Sequence, residues 1–305
     1  MKVSHQARLL VLVFLAVGFI YVCLYMENVK YRAPATPVQK SNEKYLSFQL
    51  DPISRLGNHL FELSSLLGIA RSLKRIPIIY TENKHYEKMI NDSRKAMPGL
   101  MGKFVIVNGT LPSAYQKVTF NPRCCVFVNP SVLAAIDYKF LHLTGQLCAH
   151  IRKGDFLSND FAATDEKFLK NALKYVQGKE KMKKSNIVIF GDDLKFMRNL
   201  FNDTVLSNQN LTSTPSSIHF VSQNSPSEDL IYSKKHCDLV LISAPHSTFG
   251  WWMGYVSKGN KVYYMDIRLT KDRVYKKGNL HPADYYLPHW TSLRLTEDNR
   301  TIVES

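Results

Sequence analysis

The chain is poor in cysteine and has no C-x-x-C pair, so neither a zinc ribbon nor a dithiol redox centre is written into it. Its histidines are scattered without metal-ligand spacing, and no metal site is expected. Of the five cysteines, Cys23 lies in an apolar run near the start. Cys124, Cys125, Cys148 and Cys237 are left to form one or two disulfides in an oxidising compartment. The vicinal pair Cys124 and Cys125 is a poor partner for itself, and spacing alone leaves the connectivity open. Internal repeats and low-complexity tracts are also absent, which excludes a solenoid and predicts a compact body.

Acidic residues are few: 25 Asp and Glu stand against 40 Lys and Arg, a formal net charge of +15 in 305 residues. Such a balance favours anionic partners: nucleic acid, lipid head groups or a phosphorylated small molecule. Lysines spread over surface-like stretches such as Lys179 to Lys184, with no aromatic-basic module, argue against nucleic acid. With 45% hydrophobic residues the chain can bury a full core.

Long apolar runs are missing except for one. Leu9 to Tyr25 carries no charge and reaches about the shortest length that spans a ~30 Å hydrocarbon core as a helix. Residues 1–8 are read as a cytoplasmic tail, 9–26 as an uncleaved anchor and 27–44, with Pro34 and Pro37, as a stem; the body begins at Tyr45. The rival reading is a signal peptide cleaved near Ala16-Val17-Gly18, but large residues continue from Phe19 through Met26. Either reading sends the body into the secretory route, in agreement with Asn-x-Ser/Thr glycosylation sequons at Asn91, Asn108, Asn202, Asn210 and Asn299.

Beyond residue 44, short apolar runs alternate with helix-like stretches. Strands are predicted at Tyr45–Leu50, Ile76–Tyr80, Phe104–Val107, Val126–Val128, Gln146–Ile151, Asn186–Phe190, His219–Val221, Leu239–Ser243 and Lys261–Met265. Helices are predicted at Asn58–Leu73, Asp165–Val176, Leu194–Phe201 and Phe249–Ser257. This rhythm builds an α/β fold with mainly parallel sheet, arranged as two nucleotide-fold-like halves of which the second, near 146–270, is the cleaner. Ligands of such folds bind at the carboxyl ends of strands.

Four segments sit at such ends. His150-Ile151-Arg152-Lys153-Gly154-Asp155-Phe156 closes a strand with cations suited to a diphosphate; the plain alternative is an Arg152–Asp155 ion pair in a turn. Ser247-Thr248-Phe249 opens a helix whose start suits a phosphate, or is an ordinary cap that packs Trp251 and Trp252 into the core. Asp192 and Asp193 follow a strand as acceptors for a base or ribose or as metal ligands, with Asp193 more simply a helix cap. Ser54-Arg55-Leu56-Gly57-Asn58-His59 offers close backbone approach at Gly57, an amide at Asn58 and a second cation.

In this order the segments resemble glycosyltransferase family 11, the α-1,2-fucosyltransferases. The family carries a G-[GR]-[LF]-G-N-Q loop, an H-x-R-R-G-D-[YF] motif, a later D-D and an S-[ST]-F-x-x-W segment. Here Ser54 stands for the first Gly, His59 for the Gln and Lys153 for the second Arg. The resemblance implies a GT-B-like fold of two Rossmann-like halves, GDP-fucose as donor, inversion to an α-fucoside and no required metal. It also implies a glycan acceptor on glycoprotein or glycolipid and a single-pass type II Golgi membrane enzyme with a lumenal body. Arg152 would neutralise the departing diphosphate, and His150 with Asp192 or Asp193 would hold guanosine. Lys153, Ser247, Thr248, Phe249, Gly57 and Asn58 would complete donor binding, with Asp155 and Asp160 as candidate bases for the acceptor hydroxyl. A decayed GDP-sugar or glycan binding protein, and a fucosyltransferase of another linkage, are the competing readings.

Overall fold

The computed structural model describes residues 43–48, 50–51, 54–81, 84–110, 146–182, 185–200 and 217–305. The expected tail, anchor and all but the end of the stem lie outside these residues, as do the predicted strand Val126–Val128, Cys124, Cys125, Asn202 and Asn210. Among the described residues no helix is long and apolar enough to cross a membrane.

Among the described residues two sheets organise the body. In the smaller, β1 (Tyr45–Leu46), β2 (Ile76–Thr81) and β3 (Val105–Asn108) run parallel in that order. The helix α1 (Leu56–Ser72) joins β1 to β2, and α2 (Lys84–Ala96) with α3 (Pro98–Met101) joins β2 to β3. The strand expected to run to Leu50 pairs only at Tyr45 and Leu46. Beyond it the chain turns toward α1, where Tyr86 donates to the Leu50 carbonyl at 3.0 Å and the His59 ring meets the Asp51 carbonyl at 3.0 Å. Side-chain bonds thus replace the ladder.

The larger sheet contains β4 (Gln146–Ile151), β5 (Ser185–Gly191), β6 (Ser217–Val221), β7 (Leu239–Ile242), β8 (Lys261–Met265), β9 (Thr291–Leu295) and β10 (Ile302–Glu304). Their order is β6-β5-β4-β7-β8-β9-β10, parallel throughout except for the antiparallel last pair. The chain thus winds outward from β4 in one direction and, after β6, returns to β7 and winds in the other. A crevice results at the carboxyl ends of β4 and β7, the place where doubly wound folds receive ligands. This sheet runs on past residue 270 to Glu304.

The helices of this part are α4 (Gly154–Ser158), α5 (Glu166–Lys179), α6 (Leu194–Asn199), α7 (Pro226–His236), α8 (Thr248–Val256), α9 (Arg273–Lys276) and α10 (Pro282–Tyr285). They cover both faces, so strand residues are buried alternately to either side. Leu147, Ala149 and Ile151 pack with Phe168, Leu169 and Leu173 of α5; Cys148 shares the opposite core with Trp251 and Trp252 of α8. The sequence reading missed α7 although Ser225 and Glu228 form a capping box ahead of it with Pro226 in its first turn. It missed α2 because charge masks a buried stripe of Tyr86, Met89, Ile90, Ser93 and Ala96.

The two sheets are joined through α1. Phe61 packs tilted against Trp251 and Trp252, with ring centroids 4.8 and 5.1 Å away, and the Trp252 indole donates to the Gly57 carbonyl at 3.0 Å. On the larger sheet, Cys148 of β4 is disulfide-bonded to Cys237, just ahead of β7, with a Cα separation of 5.6 Å. This resolves part of the connectivity that spacing left open.

Candidate functional site

Arg152 leaves β4 at the crevice, and its backbone is clamped there. Its N–H donates to Thr164 Oγ1 at 2.9 Å, and the Thr164 N–H returns to the Arg152 carbonyl at 2.8 Å. Ser243, at the end of β7, donates to the His150 carbonyl at 2.6 Å, so the 2.9 Å contact between Thr164 and Ser243 is donated by Thr164. These hydroxyls tie the ends of β4 and β7 together. No motif marked Thr164 or Ser243.

The Arg152 guanidinium pairs with Asp155 at 2.8 Å and approaches Asp192 at 3.3 Å. Burial and the neighbouring Arg55 lower its pKa against the opposing pull of Asp192 and Asp155, yet an arginine stays charged at any pH at which the chain folds. Asp155 also meets Arg55, at 3.5 Å, from the loop ahead of α1. Asp192 accepts from the Lys153 backbone N–H at 2.9 Å, and a Cβ on Gly154 would lie 2.6 Å from its Oδ2. Asp192 is thereby committed to holding the β4 exit. Asp193 accepts from Phe196 N at 2.9 Å as the N-cap of α6, and the Lys153 ammonium sits 4.1 Å from the Phe196 ring centre. The ion pair of the plain reading of the Arg152 segment is present.

A second helix start completes the cluster. Ser247 caps α8, accepting from Gly250 N at 3.2 Å, and Trp251 and Trp252 enter the core as the plain reading expected. Thr248 Oγ1 donates to Asn58 Oδ1 at 2.7 Å, so α1 and α8 meet start to start. Arg55, the N-cap residue of α1, makes no side-chain cap. Two macrodipole N-termini therefore converge beside Arg55 and Arg152, an arrangement that attracts a polyanion. Their close approach depends on Gly57, where an added Cβ would stand 2.7 Å from Phe249 N and 2.8 Å from Thr248 Oγ1. In Gly57→Ala the backbone of α8 must give way, and the expected result is a loss of about 1–3 kcal/mol in stability. Urea denaturation would read it, and a variant as stable as the wild type would show that the helix starts can part freely.

His150 is buried behind this cluster rather than facing the crevice. Its Nε2 lies 3.5 Å from Ser247 Oγ, and a Cβ on Gly250 would come within 2.6 Å of its Nδ1. Burial, with help from Arg152, pushes its pKa down to about 3. The folded chain keeps the ring neutral where the unfolded chain protonates it, so this site loses stability as pH falls from about 6.5 toward 3, at ~1.4 kcal/mol per unit. Burial raises Glu62 to about 7 and Asp229 to about 6, and these two act in the opposite sense over parts of the same range. The share of His150 is therefore read as a difference: between pH 6.5 and 5 the stability of the wild type should fall relative to that of His150→Asn. Parallel curves would refute it.

Asp160 lies apart from this cluster, exposed in a left-handed turn (φ 57°) after α4, with its carbonyl accepting from Arg273 N at 2.9 Å. Asn91 is exposed on α2, Asn108 at the end of β3 and Asn299 in the turn between β9 and β10. Among the described residues no group of His, Cys, Asp or Glu is placed to hold a metal ion. Sequence reasoning also passed over the pair His246 and Asp272, 3.3 Å apart beside Ser247.

Known proteins resemble this chain in sequence. Residues 140–294 match the family model for glycosyl transferase family 11. A Caenorhabditis elegans protein provisionally named galactoside 2-alpha-L-fucosyltransferase svh-11 is 38% identical over 314 residues, 89% of this chain and 85% of that protein. A galactoside 2-alpha-L-fucosyltransferase of the same organism is 26% identical over 351 residues, 98% and 95% of the two chains. The crystal structure of NodZ alpha-1,6-fucosyltransferase soaked with GDP-fucose aligns with 75% of this chain and 97% of its own at 11% identity, with a TM-score of 0.36, too remote a likeness to assign a fold. With half its length matched by the family model and a relative of this identity aligned along nearly all of it, the chain belongs to glycosyltransferase family 11.

Proposed function

We propose that the chain is an inverting fucosyltransferase that moves L-fucose from GDP-fucose to a galactoside hydroxyl in α-1,2 linkage. The observation that carries this reading is the convergence of two helix starts with Arg55 and Arg152 at the crevice between β4 and β7, a site for a diphosphate. The relatives' names supply the sugar and the acceptor class. The pair of parallel sheets bridged by α1 and α8 supports a GT-B-like arrangement of two Rossmann-like halves, with the donor between them.

In this reading Arg152 forks onto the diphosphate and takes up the charge that grows as the C1–O bond breaks. Lys153, Thr248, Phe249, Gly57 and Asn58 line the same approach, while Ser247 and Asp192 hold the cap and the guanidinium in position. Asp193 and His150 lie behind the contact surface and shape it. The cations take the place a divalent metal fills in other transferases, so transfer should persist in EDTA. Asp155 is the acidic group beside the donor, while Asp160 is exposed outside the cluster. The apolar run from Leu9 to Tyr25, the sequons and the disulfide support a Golgi-membrane anchor with a lumenal body.

The test is transfer by the full-length, detergent-solubilised protein from GDP-fucose to a panel of β-galactosides and N-glycans, with EDTA in parallel. Fucosylation of a galactoside at O2, unchanged by EDTA, is the expected result. Donor binding with no transfer would point to a binding protein, and no donor binding would overturn the reading.

A further inference from the structure

Going beyond the fucosyltransferase reading but resting on it, we propose that His246, oriented by Asp272, takes the proton from the acceptor hydroxyl. His246 stands at the carboxyl end of β7, one residue before the cap of α8, and so at the mouth of the crevice. Its Nδ1 is buried and lies 3.3 Å from Asp272 Oδ2. Asp272 is itself fully buried and accepts from the backbone N–H groups of Ala162 at 2.9 Å, Val274 at 2.9 Å and Tyr275 at 3.1 Å. Burial alone would raise its pKa, but His246 and these donors outweigh burial and hold the carboxyl below the usual range. An ionised carboxylate beside Nδ1 fixes the proton there and leaves Nε2 with a lone pair. The contact is long for a hydrogen bond and strengthens when the ring becomes cationic.

The His246 side chain is 10% exposed, and among the described residues its Nε2 makes no hydrogen bond. The ring is held by Phe161, edge to face at 4.9 Å, and by Phe156 at 6.2 Å. The Arg152 guanidinium lies 5.3 Å from the centre of the same Phe156 ring, so the imidazole and the cation for the leaving group flank one side chain. Arg273 covers Phe161 at 5.4 Å. Asp155 is less suited to the task because it already bridges Arg55 and Arg152.

The step balances without a further reactant. The acceptor oxygen attacks C1 of fucose from the face opposite the diphosphate, and the C1–O bond breaks with its electron pair passing to the β-phosphate beside Arg152. The hydroxyl proton moves to His246 Nε2, the imidazolium is stabilised by Asp272, and solvent later removes the proton.

The test compares full-length wild type, His246→Ala, His246→Gln and Asp272→Asn. Both His246 variants should keep the wild-type affinity for GDP-fucose within about twofold and lose kcat by roughly 10²- to 10⁴-fold. Added imidazole should restore transfer at least about tenfold in His246→Ala and not in His246→Gln, where the cavity is filled. Asp272→Asn, which keeps one oxygen for the Val274 and Tyr275 donors and replaces the oxygen that faces Ala162 and His246, should lower kcat while leaving donor affinity intact. A His246→Ala enzyme that keeps more than half the wild-type kcat overturns the proposal. So does a folded, donor-binding variant that imidazole does not rescue, since a packing role predicts that outcome. A wild type that fucosylates no acceptor overturns the fucosyltransferase reading itself, which keeps the two failures distinct.

Discussion

Replacing Arg152 with alanine is expected to lower kcat/KM by about 10²- to 10³-fold, the usual effect of deleting one charged group from a preorganised anion site. The side chain is only 13% exposed and is held by Asp155 and Asp192 together. Its position is thus set before the donor arrives, and little reorganisation is needed as charge develops on the leaving diphosphate. Arg152→Lys should recover little of the loss, because an ammonium cannot meet two carboxylates and a phosphate in one plane. Initial-rate kinetics with GDP titration would separate the two effects: GDP affinity should fall less than kcat/KM. An Arg152→Ala enzyme within about fivefold of the wild type would remove this residue from the centre of the mechanism.

The largest effect on stability is expected from the disulfide. Cys148 and Cys237 are 89 residues apart in sequence, and opening a loop of that length costs about 4–5 kcal/mol in the chain-entropy account. The bond joins β4 to the segment leading into β7, and these two strands bound the crevice. Around it Asp238 N donates to the Gln146 carbonyl at 3.0 Å, and the Gln146 N–H returns to Asp238 Oδ2 at 2.9 Å. Cys148→Ala with Cys237→Ala, or reduction of the wild type, should therefore shift the urea midpoint strongly. A shift worth less than about 1 kcal/mol would mean that packing alone keeps β4 and β7 adjacent.

Much of this architecture could be read along the chain because it rests on short-range signals. Gln146 to Ile151, Asn186 to Phe190 and Leu239 to Ser243 are short, largely apolar runs bounded by polar residues, and all three form strands with ends close to those expected. Asp193 and Ser247 act as helix caps, a role that needs only a side-chain oxygen three residues ahead of an N–H. Each site segment was visible for the same reason: its residues are contiguous. The two final strands were not, since β9 and β10 are short and contain Arg294 and Glu304.

Partner choice between distant segments required the folded chain. The order β6-β5-β4-β7-β8-β9, the Cys148–Cys237 pairing and the meeting of Asn58 with Thr248 depend on crossovers that no local pattern encodes. The same holds for Arg55 on Asp155 and for Asp272 behind His246. By itself the sequence determined the α/β alternation, the helix starts and the family motifs, because propensity, capping and periodicity act over a few residues. Tertiary structure alone decided which of those motifs share one crevice and which carboxylate orients which cation or imidazole, because burial and long-range pairing are properties of the whole packed chain.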